Sequence, residues 1–360
     1  MANFRFLPAG RIICGAGTMR DVTLFNCIVM GDIPDDMAGI FVALKEAAVT
    51  MQQGGGIGHN FSTLRPKGSP VKGVGVDASG PLSFMDVWDT MCRTIMSAGS
   101  RRGAMMATIR CDHPDIDSFI TAKQEPGRLR MFNLSVLVTD AFMTAVQEDA
   151  AWDLVFDGIV FQTVQARDLW DKITRATYDY AEPGVIFIDR INRRNNLAYC
   201  ETIHATNPCG EQPLPPYGAC LLGSINLTRL LEDPFGPNAS LDLVAIERLV
   251  PVAVRMMDNA IEISRFPLEA QAREARTKRR IGLGVTGLAD ALIMCGARYG
   301  SPEAVKLTET WMATIQRQAY LASAALAAEK EPFPLFDAEQ YLSGETINEL
   351  DHDVRARIIE

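Results

Sequence analysis

The chain has 360 residues, 48% hydrophobic and 22% charged, with a formal net charge of −9 and a pI near 5.1. This length allows one to three domains and a sizeable core. The acidic balance argues against a nucleic-acid surface, whose footprint is basic, and no apolar run approaches the roughly 18 residues of a membrane span. The opening MANFRFLPAGRII lacks the apolar core of a secretory signal, so a cytoplasmic protein is expected. The cysteines, Cys14, Cys27, Cys92, Cys111, Cys200, Cys209, Cys220 and Cys295, are scattered, and no CxxC pair suggests a metal site. In a reducing compartment, a cysteine pair with a role is redox-active rather than structural.

Taken in chain order, residues 26–30 read as a buried strand. Ile40, Leu44, Ala47, Ala48 and Met51 then fall on one face of a helix over 40–53. Glycine- and proline-rich connectors follow at 54–58 and 66–81. Phe84, Val87, Trp88, Met91 and Ile95 predict a helix over 83–98. A strand at 134–138 precedes helices over 139–148 and 165–181, and a further strand is expected at 185–188. Connectors at 207–218 and 234–238 flank a strand at 224–227. Helices are expected over 244–264, with a kink at Pro251, and over 302–330. Strands alternating with helices give an α/β fold with parallel pairing, in one main domain.

Within 207–220 the sequence is Asn-Pro-Cys-Gly-Glu-Gln-Pro-Leu-Pro-Pro-Tyr-Gly-Ala-Cys. Pro213, Pro215 and Pro216 exclude a helix or a central strand, so this segment is a loop. If it is extended, Asn207, Cys209 and Glu211 share a face and bring an amide, a thiol and a carboxylate to one ligand. Composition alone equally admits a proline-rich surface loop with a stray cysteine.

NPCGE followed by a cysteine and GSINL resembles the finger loop of ribonucleotide reductases. RFLPAGRIICGAGT, LFNC, QQGGGIGHNFSTLRP, SGPLSFMDVWD, SRRGAMMATIRCDHPDIDSFI, PGVIFIDRINRRNN and KRRIGLGVTGLADAL resemble further blocks of that family, in the family's order. The resemblance implies a ten-stranded α/β barrel of two five-stranded parallel halves around a central finger loop. Residues 1–360 would form this catalytic barrel domain without its C-terminal part, as a fragment or as half of a split enzyme completed by a separate C-terminal chain.

By the same resemblance, Cys209 would carry a thiyl radical that abstracts the 3′-hydrogen of a ribonucleotide. Glu211 would act as general base on the 3′-hydroxyl, and Asn207 would hold the substrate hydroxyls. Cys27 and Cys220 would supply two electrons and end as a disulfide, which a thioredoxin-like thiol reductant reopens. The spacing of Cys209 and Cys220 is similar to that of the adenosylcobalamin-dependent class II enzymes, making adenosylcobalamin the expected cofactor. The alternatives are a class I large subunit, served by a separate metal-radical subunit, and an incomplete chain that only binds nucleotide or dimerises.

Weaker site expectations rest on the same blocks. Thr18 and Asn26 belong to the first, and Gly55, Gly56 and Asn60 to the glycine-rich one, whose backbone amides would face a phosphate. Lys123, Gln124 and Arg128 fall where the family has its specificity loop, between substrate base and deoxynucleotide effector. Arg101 and Arg102 follow the helix at 83–98, which together with 40–53 is the expected homodimer surface. The formal GxGxxG at 282–287 follows Arg-Thr-Lys-Arg-Arg instead of an apolar strand, so it is read as close helix packing, not as a dinucleotide site.

Overall fold

The computed structural model describes residues 1–20, 22–71, 75–95 and 103–360, which divide into the unit Met1–Asn26 with Cys220–Glu360 and the unit Cys27–Ala219. The chain opens in the first unit with β1 (Phe6–Pro8) and α1 (Gly10–Gly15). It then builds the second unit from β2 (Cys27–Val29), α2 (Met37–Gln52), β3 (Gly56–Asn60), α3 (Pro81–Ile95), β4 (Met105–Arg110), α4 (Ile116–Thr121) and β5 (Phe132–Val138). After α5 (Asp140–Glu148) come a hairpin of β6 (Ala151–Phe156) and β7 (Ile159–Gln165), α6 (Ala166–Tyr180), β8 (Gly184–Phe187) and α7 (Ile188–Arg193). A short hairpin of β9 (Ala205–Thr206) and β10 (Pro213–Leu214) closes this unit.

Strands β2, β3, β4, β5 and β8 pair in that order, all parallel. Parallel neighbours require crossovers, and here helices supply them. Helices over a parallel sheet bury its strands, so these read as near-continuous apolar runs: β2 is Cys-Ile-Val and buried throughout, and β5 is buried except at Asn133. Helix starts are fixed locally, with Asp36 accepting from the Gly39 N–H at α2 and Thr139 from the Phe142 N–H at α5.

Two expectations change here. The glycine-rich segment at 54–58 is not simply a connector, because its second half is the start of β3. The GxGxxG segment is not helix packing. It is itself a strand of the first unit, which continues with β11 (Ala219–Asn226), β12 (Leu231–Glu232), β13 (Ser240–Leu241), α8 (Leu243–Ile263), α9 (Glu269–Lys278) and β14 (Ile281–Thr286). Strand β14 runs parallel to β11 from Leu221↔Ile281 to Asn226↔Thr286, and β1 lies antiparallel on β11. Glycine carries little strand propensity, which hid both segments from a periodicity reading.

The unit ends with α10 (Leu288–Met294), α11 (Pro302–Lys330), α12 (Ala338–Ser343), α13 (Glu345–Asn348) and α14 (His352–Ile359). Helix α8 runs through Pro251 and carries the largely buried Asp258, which binds Arg279 at 2.7 Å and Lys330 at 2.9 Å. These two pairs tie α8 to the end of α9 and to the end of α11.

Beneath α3 the second unit has an aromatic core. Trp88 stands edge-on to Phe61 and His59, and its indole N–H donates to His59 Nε2 at 3.2 Å. Full burial pushes the His59 imidazole down to about 3 from its usual 6.5, so the ring is neutral. The unfolded chain takes up a proton on this residue as the pH falls below about 6.5, while the folded protein does not until near 3, so the folded state loses stability on acidification through that window. In the His59→Gln variant we expect about 2 kcal/mol of the stability difference between about pH 7 and pH 5 to disappear in urea titrations. An unchanged difference would show that His59 is not the group responsible.

Candidate active site

Thr206↔Pro213 is the last pair of the β9–β10 hairpin before its loop at 207–212. The loop closes on itself. The Asn207 N–H donates to the Gln212 carbonyl at 3.1 Å, and the Gln212 N–H donates to Asn207 Oδ1 at 2.9 Å. A tight turn at the tip has Pro208 and Cys209 as its central residues, with the Gly210 N–H donating to the Asn207 carbonyl at 3.1 Å. Pro208 presets its own φ for such a turn, and Gly210 sits at φ 83, where a side chain would be strained. The extended alternation expected of residues 207, 209 and 211 is therefore replaced by a turn: Asn207 is fully buried, while Cys209 and Glu211 are exposed.

Neighbouring strands hold this hairpin from outside the loop. A Cβ at Gly58 would overlap the Thr206 carbonyl oxygen, so the hairpin backbone lies directly on β3 where β3 has no side chain. The buried Thr108 hydroxyl on β4 donates to the His204 carbonyl at 3.1 Å. The Asn133 amide on β5 donates to the Pro208 carbonyl at 2.7 Å. His204 Nε2 lies 3.2 Å from Asp32 Oδ1, and this contact holds the Asp32 carboxyl below its usual range. On the outgoing side the Gly218 carbonyl accepts the Val29 N–H at 2.8 Å, beside Cys27 on β2. The Tyr217 hydroxyl donates to Glu46 Oε2 at 3.0 Å, and burial together with Glu46 pushes that phenol up to about 12.

One polar group of the loop is left over. Asn207 Nδ2 is buried and has no hydrogen-bond partner among the described residues. Because an unmet buried donor costs free energy, an acceptor arriving at that point gains more than one binding an exposed amide. Beside the tip, a groove of about 530 Å³ is bordered by Val185, Phe187 and Arg190 and by Thr206, Gly210 and Pro213. A Cβ added at Gly210 would meet only Met106 Cε, at 3.7 Å, so this side of the turn is open.

The other expected residues are placed as follows. Cys27 is buried in β2, level with Gly56 of β3. The Cys220 side chain, Arg101 and Arg102 lie outside the described residues. Gly55 and Gly56 are buried, and the amides of Gly54, Gly55 and Ile57 already donate to Met51, Thr50 and Ala104 carbonyls. Asn60 Oδ1 accepts the Ser62 N–H. In the other unit, Thr18 donates to the Gly15 carbonyl and Asn26 accepts the Arg11 N–H. Lys123 donates to the Phe132 carbonyl and pairs with Glu182, Arg128 pairs with Asp86, and Gln124 is exposed.

Burial raises the Cys92 thiol to about 11 and the Cys111 thiol to about 12, which keeps both protonated and unreactive. No cluster of His, Cys, Asp and Glu that could hold a metal ion occurs among the described residues, nor a helix long and apolar enough to cross a membrane. Gly58, Thr108 and Asn133 were not anticipated as site residues. Their part lies in cross-strand distances that no local pattern encodes.

A parallel five-stranded sheet carrying a cysteine-tipped hairpin is the arrangement expected of a ribonucleotide reductase barrel. Residues 25–356 match the family described as ribonucleotide reductase, barrel domain, and the chain belongs to that family. It is similar to the vitamin B12-dependent ribonucleoside-diphosphate reductase of Mycobacterium tuberculosis H37Rv, at 42% identity over 95% of this chain and 48% of the relative. The protein of the same name from Thermoplasma acidophilum is 38% identical over 95% of this chain and 44% of its own. The ribonucleoside-diphosphate reductase subunit alpha of Chlamydia pneumoniae is more distant, at 25% identity over 96% of this chain and 36% of its own. The chain thus spans about half the length of the curated relatives it matches.

Because the hairpin rests on bare backbone at Gly58, Gly58→Ala must lift it. We expect a loss of about 1–3 kcal/mol and faster amide exchange across 205–214, read by hydrogen-exchange mass spectrometry. Unchanged exchange there would show that β3 does not set the hairpin's position.

Proposed function

We propose that this chain carries the radical-bearing half of an adenosylcobalamin-dependent ribonucleoside-diphosphate reductase. The observation that carries the reading is the tip of the β9–β10 hairpin. It holds an exposed thiol at Cys209, an exposed carboxylate at Glu211 and, at Asn207, a buried side-chain NH2 with no partner among the described residues, within five residues of chain. The similarity to enzymes named as vitamin B12-dependent, at 42% and 38% identity, favours this class over the metal-radical class, whose alpha subunit stands at 25%.

Adenosylcobalamin, when bound, supplies the radical that removes the hydrogen atom from Cys209. Val185, Phe187 and Arg190, on the border of the groove beside Gly210, are the residues that would lie against part of the cofactor. The Cys209 thiyl then takes the 3′-hydrogen of the ribose. Glu211 accepts the 3′-hydroxyl proton as the 2′-hydroxyl departs as water, protonated by one thiol of the Cys27 and Cys220 pair. Asn207 Nδ2 donates to a substrate hydroxyl, meeting the buried donor that the loop leaves without a partner. The other thiol of the pair gives a hydrogen atom to C2′, and the resulting disulfide radical anion passes one electron to the 3′-keto group as Glu211 returns its proton. Cys209 gives its hydrogen back to C3′, and an external thiol reductant reopens the Cys27–Cys220 disulfide.

The expected homodimer surface finds support in the exposed Phe41 and Val42 of α2 and Val87 of α3. A deoxynucleotide effector is assigned to the segment around Lys123 and Arg128. A cytoplasmic, reducing setting matches the chemistry.

The test is reduction of ribonucleoside di- and triphosphates with adenosylcobalamin and dithiothreitol, using the chain alone and with the complementary C-terminal region supplied. Cobalamin-dependent turnover is expected in the completed protein and is expected to fall at least about 10³-fold in Cys209→Ser. Turnover that needs no cobalamin would move the protein to the metal-radical class. Equal turnover in Cys209→Ser would remove the assigned radical site.

A further inference from the structure

We propose that Asn133 is a positioning residue for the Cys209 thiol, through which the segment 123–131 acts on the radical site. The inference rests on Cys209 being the residue that carries the radical. Pro208 has its φ fixed by its ring, so the Cα–Cβ bond of Cys209 is aimed mainly by Pro208 ψ and Cys209 φ, and χ1 then selects among staggered positions of the sulfur about that bond. Both rotations swing the Pro208–Cys209 peptide plane and its carbonyl oxygen. That oxygen is the atom Asn133 Nδ2 holds at 2.7 Å. The loop's own bonds end at Asn207, Gly210 and Gln212, so Asn133 restrains the part of the turn they leave free.

Asn133 is well placed for this. It is level with Met106 on β4, whose Cε is the nearest atom to a Cβ built on Gly210. It is the second residue of β5, directly after the segment 123–131, and that segment is tied down close by. Lys123 Nζ donates to the Phe132 carbonyl at 2.6 Å, and the Met131 N–H donates to the buried carboxylate of Asp89 on α3 at 2.8 Å. Arg128 reaches Asp86 on the same helix at 3.1 Å. Movement of the segment against α3 therefore pulls on the peptide group before Met131 and on the one after Phe132, and through the latter on Asn133, whose amide holds Pro208.

The experiment compares Asn133→Asp, which removes the N–H donor at constant shape, with Asn133→Leu, which removes it without adding charge. Iodoacetamide labelling of Cys209 is followed by mass spectrometry in the full-length protein, with the exposed Cys14 and Cys200 as internal references. Both variants are expected to label Cys209 about fivefold faster and to exchange amides across 205–214 about tenfold faster, at near-unchanged melting temperature, as the loss of one restraining hydrogen bond implies. Lys123→Met is expected to speed labelling in the wild-type background and to add little to Asn133→Leu. In turnover, kcat is expected to fall about tenfold with KM within about twofold, the pattern of a misaimed group and not of lost binding.

Unchanged labelling and exchange in both Asn133 variants would overturn the positioning role. Additive effects with Lys123→Met would overturn the link to the segment 123–131. A loosened turn with wild-type kcat would overturn its relevance to the reaction. Absence of turnover in the wild-type enzyme would instead strike the functional reading, while labelling would still decide whether Asn133 aims the thiol.

Discussion

Backbone lying on backbone at Gly58 is the constraint on which the rest of this site depends, since any side chain there would occupy the space of the Thr206 carbonyl. A sheet packed on both faces normally keeps other chain at side-chain distance, about 10 Å. Omitting one Cβ from β3 lets a hairpin come close enough to be gripped by neighbouring strands. Thr108 takes hold at the His204 carbonyl and Asn133 at the Pro208 carbonyl. The other face of β3 carries His59 into the aromatic cluster beneath α3. One strand thus meets the hairpin on one face and is braced by α3 on the other.

The loop that results is nearly self-sufficient. Its backbone and one side-chain oxygen meet each other's needs, which fixes Asn207 deep in the structure and leaves Cys209 and Glu211 at the surface. The loop thus presents a buried amide donor at Asn207 and, at the surface, the thiol of Cys209 and the carboxylate of Glu211. This is how a two-residue ladder of hydrogen bonds, weak as an isolated hairpin, can present reactive groups with little conformational spread.

Helices were the more legible part of the sequence. The helix expected over 139–148 is found as Asp140–Glu148, and that over 302–330 as Pro302–Lys330, because amphipathic spacing and caps at Thr139 and Ser301 are local signals. Strands rich in valine, leucine and isoleucine, such as β5, could also be read. Strands β3 and β14 could not, since their glycines answer to close approach and parallel pairing, which sequence spacing does not record. The site divides the same way. Asn207, Cys209 and Glu211 stood out through a resemblance in their segment. Gly58, Thr108 and Asn133 became visible only when strands far apart in sequence lay side by side.

The tight turn at the hairpin tip also bears on how long the protein can last. An asparagine held in a turn commonly ages by attack of the next residue's backbone nitrogen on its side-chain amide, with loss of ammonia. Here the next residue is Pro208, whose nitrogen carries no hydrogen and is locked in its ring. The amide of Asn207 is buried and its oxygen is engaged by the Gln212 N–H. The residue that lends the turn its shape thereby closes the common route of spontaneous chemical decay at its most sensitive neighbour.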